Sequence, residues 1–172
     1  KVAFVERQDL DYYTQAVQSS QIQIDESEEE TGWRGGTLGY GDVTVTTNIP
    51  MFRKIRFHSR DSLGFENLEL PPQELQTVAF WFVPPDDAAE AMRAEDLVPG
   101  EALTGIANLL VEVAPFFVMC DVQDIGAVVD SRNLGKDALF IHDRYPGGMG
   151  FASRCLEQFG EMIQTAASVV RE

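Results

Sequence analysis

The chain has 172 residues, of which 44% are hydrophobic, and its formal net charge is −15. A chain of this length can bury a hydrophobic core without disulfides or metal ions. The charge excludes a surface that binds nucleic acid throughout, because affinity for phosphate comes from Lys and Arg side chains.

The ends and the cysteines suggest the context of the chain. We find no apolar leader and no apolar run of the ~18 residues that a membrane span needs, so we expect a soluble, cytoplasmic protein without a membrane partner. Cys120 and Cys155 lack the spacing of a disulfide framework or a zinc site and are predicted to be free thiols. Because the chain begins at Lys1 and its last helical pattern runs to Glu172, we expect a piece of a longer protein.

The first half of the chain is predicted to be rich in β-structure. Apolar alternation and β-branched residues predict strands at 2–5, 21–24, 41–47 and 51–59. The acidic run 25–30 is interpreted as a solvated turn, and the glycines of 32–41 as tight turns. Segment 32–41 lacks the lysine and hydroxyl of a phosphate-binding loop, so no nucleotide site is predicted there.

The second half is predicted to be mainly helical. The apolar run 77–83 predicts a central strand, and 138–142 predicts a second buried strand. Helical periodicity predicts three helices, at 88–94, 101–113 and 150–170. The fold class is therefore α+β: one domain, 1–172, in which a β-rich half (1–83) with a mixed or antiparallel sheet packs with a helix-rich half (84–172).

The run from Asp143 to Gly150 joins the end of a strand to the start of a helix through Pro146, Gly147 and Gly148. Free amides at a helix N-terminus attract anions, so a phosphate of nucleic acid is one candidate occupant of this turn. The alternative is a sharp turn in which the Asp143 carboxylate itself caps the helix. The spacing alone leaves both interpretations open.

Two motifs together carry a family resemblance. The run DRYPGGMGF at 143–151, preceded by MCDVQDIG at 119–126, resembles the C-terminal zinc-binding accessory domain of bacterial and archaeal DEAD/DEAH-box helicases of superfamily 2. The segments DYYT (11–14), YGDVTV (40–45) and TVAFW (77–81) occur in the order that this domain shows. The motif residues are Asp121, Asp124, Asp143, Tyr145, Pro146, Gly147 and Gly148.

This resemblance implies a function for the longer parent protein. The parent would be an ATP-dependent helicase acting in DNA repair or related processing, with ATP bound by two RecA-like motor domains upstream of this chain. The chain itself would be a non-catalytic accessory domain without a cofactor of its own, and a zinc-binding cysteine cluster would follow Glu172. Its partners would be the motor domains of the same parent and single-stranded or duplex DNA.

The cations of segment 53–60 suggest where nucleic acid would bind. Lys54, Arg56, His58 and Arg60 alternate, so in an extended strand they project from one face while Ile55 and Phe57 point into the core. Such a row could contact successive phosphates of a single strand. The alternative is that these are edge-strand charges that prevent aggregation and pair with the acidic run 25–30.

Two further hypotheses remain. A hydrolase site could combine His142, Asp143, Asp121 and Asp124 with Cys120 or Cys155, but this requires a convergence that a sequence cannot show. Alternatively, the acidic surface could dock the helicase core or a partner protein.

Overall fold

The computed structural model describes residues 4, 6 and 9–171 and confirms the α+β class. The strands precede most of the helices, and the paired strands are antiparallel. The elements are β1 (Tyr12–Trp33), β2 (Gly36–Arg56), β3 (Ser62–Asn67), β4 (Gln73–Val83), α1 (Asp86–Ala94), α2 (Pro99–Val113), a 3-10 turn (Ala114–Phe116), β5 (Ile125–Asp130), β6 (Ala138–Asp143), α3 (Phe151–Glu157) and α4 (Phe159–Arg171).

The strands are ordered β1-β2-β4-β6-β5, and β3 also pairs with β2. The predicted strands 77–83 and 138–142 are confirmed as parts of β4 and β6, which pair through Ala79 and His142. Both are apolar runs covered on two sides, which is why the sequence identified them.

The chain divides into two compact units. Unit 1 comprises 1–20 and 47–73, and unit 2 comprises 21–46 and 74–172. Strands β1 and β2 contribute residues to both units, so the units do not coincide with the predicted halves 1–83 and 84–172. The prediction of one folding domain over 1–172 stays a prediction.

Unit 2 has an apolar core on each face of its sheet. On one face, Phe80, Leu110, Leu139 and Phe159 are buried together with residues of α2, α3 and α4, and on the other Trp81 packs against Phe140 with ring centroids 5.8 Å apart. Burial of such side chains is the main source of stability, at about 25 cal/mol per Å² of apolar surface.

The predicted single helix 150–170 is wrong, because α3 ends at Glu157 and α4 begins at Phe159. Gly160 follows the break, and glycine disfavours a continuous helix by about 1 kcal/mol relative to alanine. Phe159 at the break packs against Trp33, Phe80 and Phe82, with ring centroids 5.0, 5.6 and 5.2 Å away. The break between the helices therefore lies next to Phe159, the residue that packs against the sheet.

The first half also differs from its prediction. The acidic run 25–30 lies within β1 and not in a turn, and most of 32–41 lies in β2. The reversal between these strands is made by Arg34 and Gly35, both with positive φ. The predicted strand 2–5 lies outside the described residues, apart from Phe4.

Gly39 and Gly41 serve packing more than turning. A Cβ on Gly39 would lie 2.3 Å from the Trp81 indole, and one on Gly41 would lie 2.0 Å from the Glu26 carbonyl oxygen. These positions therefore accept only glycine without rearrangement of their neighbours.

Helices α1 and α2 begin near their predicted positions. Helix α1 follows Pro85 and has Asp86 and Asp87 in its first turn, and α2 has Pro99 as its first residue. No single helix in the described part of the chain is long and apolar enough to cross a bilayer; α1 and the segment Pro99–Phe116 pass that test only as a pair bent by 107°.

Candidate nucleic-acid interface and the Asp143 turn

The Asp143 carboxylate is fully buried at the end of β6 and caps helix α3. Its Oδ2 accepts hydrogen bonds from the amides of Met149 (2.5 Å), Gly150 (2.9 Å) and Phe151 (3.2 Å), and its Oδ1 accepts one from Ala152 (2.7 Å). These are the amides that a helix start leaves unpaired. The carboxylate therefore supplies both the missing acceptors and a negative charge at the positive end of the helix.

This geometry decides between the two interpretations of the turn. The amides that would have bound a phosphate are already satisfied by Asp143, so the capping interpretation is correct and the anion-pocket interpretation is wrong. Pro146 and Gly147 also border an open groove of about 700 Å³ that is lined by Asp25, Asp42 and Glu74. Three carboxylates repel a phosphate further.

Three further motif residues, Asp121, Asp124 and Tyr145, connect the turn to the loop before β5 by hydrogen bonds. The Tyr145 hydroxyl donates to Asp124 Oδ1 at 2.6 Å, and the amide of Asp121 donates to Asp124 Oδ2 at 2.7 Å. The first of these bonds lowers the pKa of Asp124 and raises that of Tyr145. The motif thus joins the loop before β5 to the turn after β6.

Gly147 and Gly148 are required in the turn for backbone conformation, and Gly148 also for close packing. The Gly147 amide donates to the Gln76 carbonyl oxygen at 2.9 Å, and Gly147 and Gly148 both have positive φ. A Cβ on Gly148 would also lie 2.4 Å from Val78 Cγ2. Left-handed backbone at two successive residues is accessible mainly to glycine.

The hydrolase hypothesis finds no support in the described residues. The Asp143 carboxylate is engaged by four amides, and His142 Nδ1 hydrogen-bonds the Asp143 carbonyl oxygen at 3.1 Å. Burial lowers the pKa of His142 by more than the hydrogen bond to Asp143 raises it. The ring is therefore neutral near pH 7. No described hydrogen bond joins this imidazole to a thiol or a hydroxyl, as an activated nucleophile would need.

The two cysteines are not activated as nucleophiles. Burial raises the pKa of Cys155 to about 12, with a smaller contribution from Cys120, and burial also raises the pKa of Cys120. Zinc ligands and nucleophiles are thiolates. Within residues 4, 6 and 9–171 no three His, Cys, Asp or Glu side chains are grouped as a metal site would require, so these residues do not fit a zinc ion.

The predicted basic row lies in unit 1, but it is not one extended strand. Strand β2 ends at Arg56, His58 lies in a turn and Arg60 has a positive φ of 57°. The register between β2 and β3 also shifts between Lys54 and Ile55. The expectation that all four side chains share one face is therefore wrong, as is the expected burial of Phe57, although Ile55 is buried as predicted.

The cations of this segment are only partly neutralised. Lys54 forms an ion pair with Glu66, and Arg56 lies 3.6 Å from Asp11; both pairs are solvent-exposed. Within the described residues, Arg53 and Arg60 form no ion pair, and the Arg53 guanidinium donates to the neutral Gln15 Oε1 at 2.8 Å. The predicted pairing with the acidic run 25–30 does not occur among the described contacts.

The sheet of unit 1 also carries aromatic side chains that the sequence prediction missed. Tyr13 and Phe57 have ring centroids 5.5 Å apart, and Phe65 lies directly across from Arg53 in the β2–β3 register. The sequence offers little indication that these rings are exposed. Strand alternation assigns Phe57 to the core, and Phe65 is marked only by its position next to Gly64, a residue typical of turns.

Comparisons with known proteins place these features in a family context. Residues 106–172 match the family model of the MrfA Zn-binding domain. The chain is 32% identical over 175 residues to an uncharacterized ATP-dependent helicase, YprA, of Bacillus subtilis (strain 168), across 99% of this chain. The resemblance to a helicase accessory domain is confirmed.

Solved structures show a similarity to the same kind of helicase. The DUF1998 helicase MrfA bound to DNA is similar over 91% of this chain, with 28% identity and a TM-score of 0.61. Another crystal structure of the helicase MrfA covers the same share, with 27% identity and a TM-score of 0.64. The chain spans 23% of the length of YprA and 21% of the MrfA chains, so it matches a part of such helicases.

Proposed function

We propose that the chain is a non-catalytic accessory domain of an ATP-dependent DEAD/DEAH-box helicase, which helps to bind and guide nucleic acid during DNA repair or related processing. The observation that carries the proposal is the unequal distribution of charge. Unit 1 contains six basic and six acidic residues, whereas unit 2 contains seven basic and twenty-two acidic residues. The whole net charge of −15 therefore falls on unit 2, and unit 1 is the part that phosphate can approach.

Within unit 1, four of the six cations lie in the segment 53–60, and we propose Lys54, Arg56, His58 and Arg60, together with Arg53, as the nucleic-acid contacts. The exposed ion pairs with Asp11 and Glu66 do not prevent this role, because such pairs are worth no more than about 1 kcal/mol and exchange readily for phosphate. The DNA bound to MrfA in its crystal structure supports the proposal by similarity.

The test is the salt dependence of binding to a labelled 15-nucleotide oligo(dT), measured by fluorescence anisotropy. We expect Arg56→Glu with Arg60→Glu to weaken binding at least about tenfold and to reduce the log–log salt slope by about 0.7 for each phosphate that the protein no longer neutralises. The matched control, Arg93→Glu with Arg154→Glu, changes the net charge equally but lies in unit 2. Equal effects of both pairs, or no effect of either, would contradict the proposal.

A second candidate function, docking of the motor domains of the same parent chain, is favoured by an exposed apolar surface of unit 2. Met119 is 98% and Met149 is 64% exposed, and both line a groove of about 470 Å³ with Phe117 and Phe151. Exposed apolar patches of this kind mark protein interaction sites. If docking is the function, Met119→Glu with Met149→Glu abolishes association with separately produced motor domains and leaves oligo(dT) binding unchanged.

We propose that zinc and ATP are bound by other parts of the longer parent protein. The matching family is that of a zinc-binding domain, and YprA is an ATP-dependent helicase. We propose that the zinc ligands follow Glu172 and that ATP is bound upstream by the motor domains. Metal analysis of the parent with its downstream cysteines replaced by serine tests the first point, since zinc should then be lost while Cys120→Ser should retain it.

A further inference from the structure

We infer that one face of the unit 1 sheet, formed by Tyr13, Phe57, Phe65 and Arg53, is a stacking platform for the unpaired bases of single-stranded nucleic acid. This inference rests on the proposed function and adds to it the part of the ligand that is recognised, namely the base in addition to the phosphate. We call these four residues the aromatic face.

The pairing of the strands places all four side chains on the same side of the sheet. Tyr13 and Gln15 are two residues apart in β1 and so share a face, and Gln15 Oε1 accepts a hydrogen bond from Arg53. Phe65 is the cross-strand partner of Arg53, and directly opposed residues of antiparallel strands project to the same side. Phe57 contacts the Tyr13 ring, which places it beside them.

The opposite face is chemically different. Lys54 alternates with Arg53 in β2, and its ammonium lies 5.3 Å from the Tyr12 ring centroid and 6.0 Å from that of Phe52. The same ammonium is paired with Glu66. The Lys54 ammonium therefore has two rings and a carboxylate as neighbours. In the aromatic face Tyr13 and Phe57 contact one another, and Phe65 is 59% exposed.

The rings of the aromatic face are open to solvent. Tyr13 is 40%, Phe57 is 53% and Phe65 is 59% exposed. Exposing three aromatic rings on one small sheet has a cost that burial in a core would avoid. Among the described residues Phe65 makes no aromatic contact, and more than half of its surface is open to solvent.

The spacing suits a nucleic-acid single strand. Tyr13 on β1 and Phe65 on β3 flank the central β2, so the two stacking positions are separated by about two strand spacings, or roughly 10 Å. Arg53 lies between them with a guanidinium that can contact a phosphate or stack on a base. Rows of aromatic rings combined with a cationic residue are the general means by which proteins hold single strands without reading sequence.

Charge complementarity selects nucleic acid over an apolar protein segment as the occupant. Arg53, Arg56 and Arg60 lie in the segment that supplies the ring of Phe57. A base with its phosphate can engage a ring and an arginine at the same time, whereas an apolar helix would offer no acceptor to the guanidinium groups.

The test compares two oligonucleotides with equal numbers of phosphates: a 15-nucleotide oligo(dT) and an abasic strand of the same length. The 172-residue protein is expected to bind oligo(dT) at least about fivefold more tightly for each base stacked. Replacing two of the three rings, with Phe57→Leu and Phe65→Leu, should reduce this preference at least about fivefold for each stacking ring lost and leave abasic binding and the salt slope unchanged. Phe57→Tyr with Phe65→Tyr should retain the preference, since stacking needs a ring and not merely an apolar group.

The outcomes separate this inference from the proposed function. If Arg56→Glu with Arg60→Glu weakens binding but the leucine pair does not, or if the two oligonucleotides bind equally, the stacking inference is wrong and the proposed function stands. If neither pair of substitutions changes binding, both are wrong. Phe116→Ala, an exposed ring in unit 2, is the matched control and should change nothing.

Discussion

At the scale of single residues, Asp143 organises the turn that the sequence singled out. One buried carboxylate accepts four backbone amides, so the loop after β6 and the start of α3 depend on a single side chain. The sequence located the turn but left its role open, because the amides lie six to nine residues beyond Asp143 and only the folded path brings them to the carboxylate.

We predict that Asp143→Asn is strongly destabilising. The substitution removes the charge and turns an amide group towards backbone donors, so at least one buried donor loses its acceptor and the free energy of unfolding should fall by about 3 kcal/mol or more. Urea denaturation measures this change. Asp124→Asn, which affects the exposed hydrogen bond to Tyr145, is the control and should have a much smaller effect. An equal decrease in the free energy of unfolding for both variants would show that the turn does not depend mainly on Asp143.

His142 gives the protein a specific sensitivity to acid. Burial lowers the pKa of His142 in the folded chain below the unfolded value of about 6.5, so the unfolded chain takes up the proton first as the pH falls. The free energy of unfolding should therefore decrease below about pH 6.5.

Comparison of variants isolates this contribution. His142→Asn keeps a donor for the Asp143 carbonyl oxygen but does not titrate, so it should lose less stability between pH 7.5 and pH 5.5 than the unsubstituted protein does. His58→Asn, at an exposed site, should behave like the unsubstituted protein. An identical pH dependence for all three would contradict the role of His142.

At the scale of elements, the long hairpin β1–β2 is what the sequence predicted least well. β1 is exposed along most of its length and is rich in Gln, Ser and Glu, so it lacks the alternation that marks a half-buried strand. Its strand conformation is fixed by pairing with β2, which a single sequence does not reveal. β5 was missed as well, whereas the apolar strands β4 and β6 were predicted because burial on both faces leaves a continuous signal.

Close packing of β2 against Trp81 of β4 can be tested by substitution. Gly39→Ala would place a methyl group 2.3 Å from Trp81 and should lower the free energy of unfolding by about 1–3 kcal/mol. Gly105→Ala, on the exposed side of α2 with no atom within 4 Å of the added Cβ, should instead raise it by up to about 1 kcal/mol. Thermal or urea denaturation measures both, and a tolerated Gly39→Ala would mean that Trp81 does not pack on this strand as described.

At the scale of the whole molecule, charge is distributed unequally between the two units. Unit 2 contains the excess acidic residues, the capped turn and the family match, whereas unit 1 contains the clustered cations and the exposed rings. The sequence located the cations but misjudged their geometry, because a register shift and a positive φ at Arg60 are properties of the fold. Under the proposed function, this division would let a protein with a strongly negative charge contact nucleic acid locally.

The most direct test of this account is amide hydrogen exchange, read by mass spectrometry, with and without the 15-nucleotide oligo(dT). Binding through unit 1 should slow exchange in peptides covering 51–67 and leave those covering 116–151 unchanged, since protection follows the ligand-contacting backbone. Arg56→Glu with Arg60→Glu should abolish the protection. Protection confined to unit 2, or none at saturating oligo(dT), would contradict the assignment of nucleic-acid binding to unit 1.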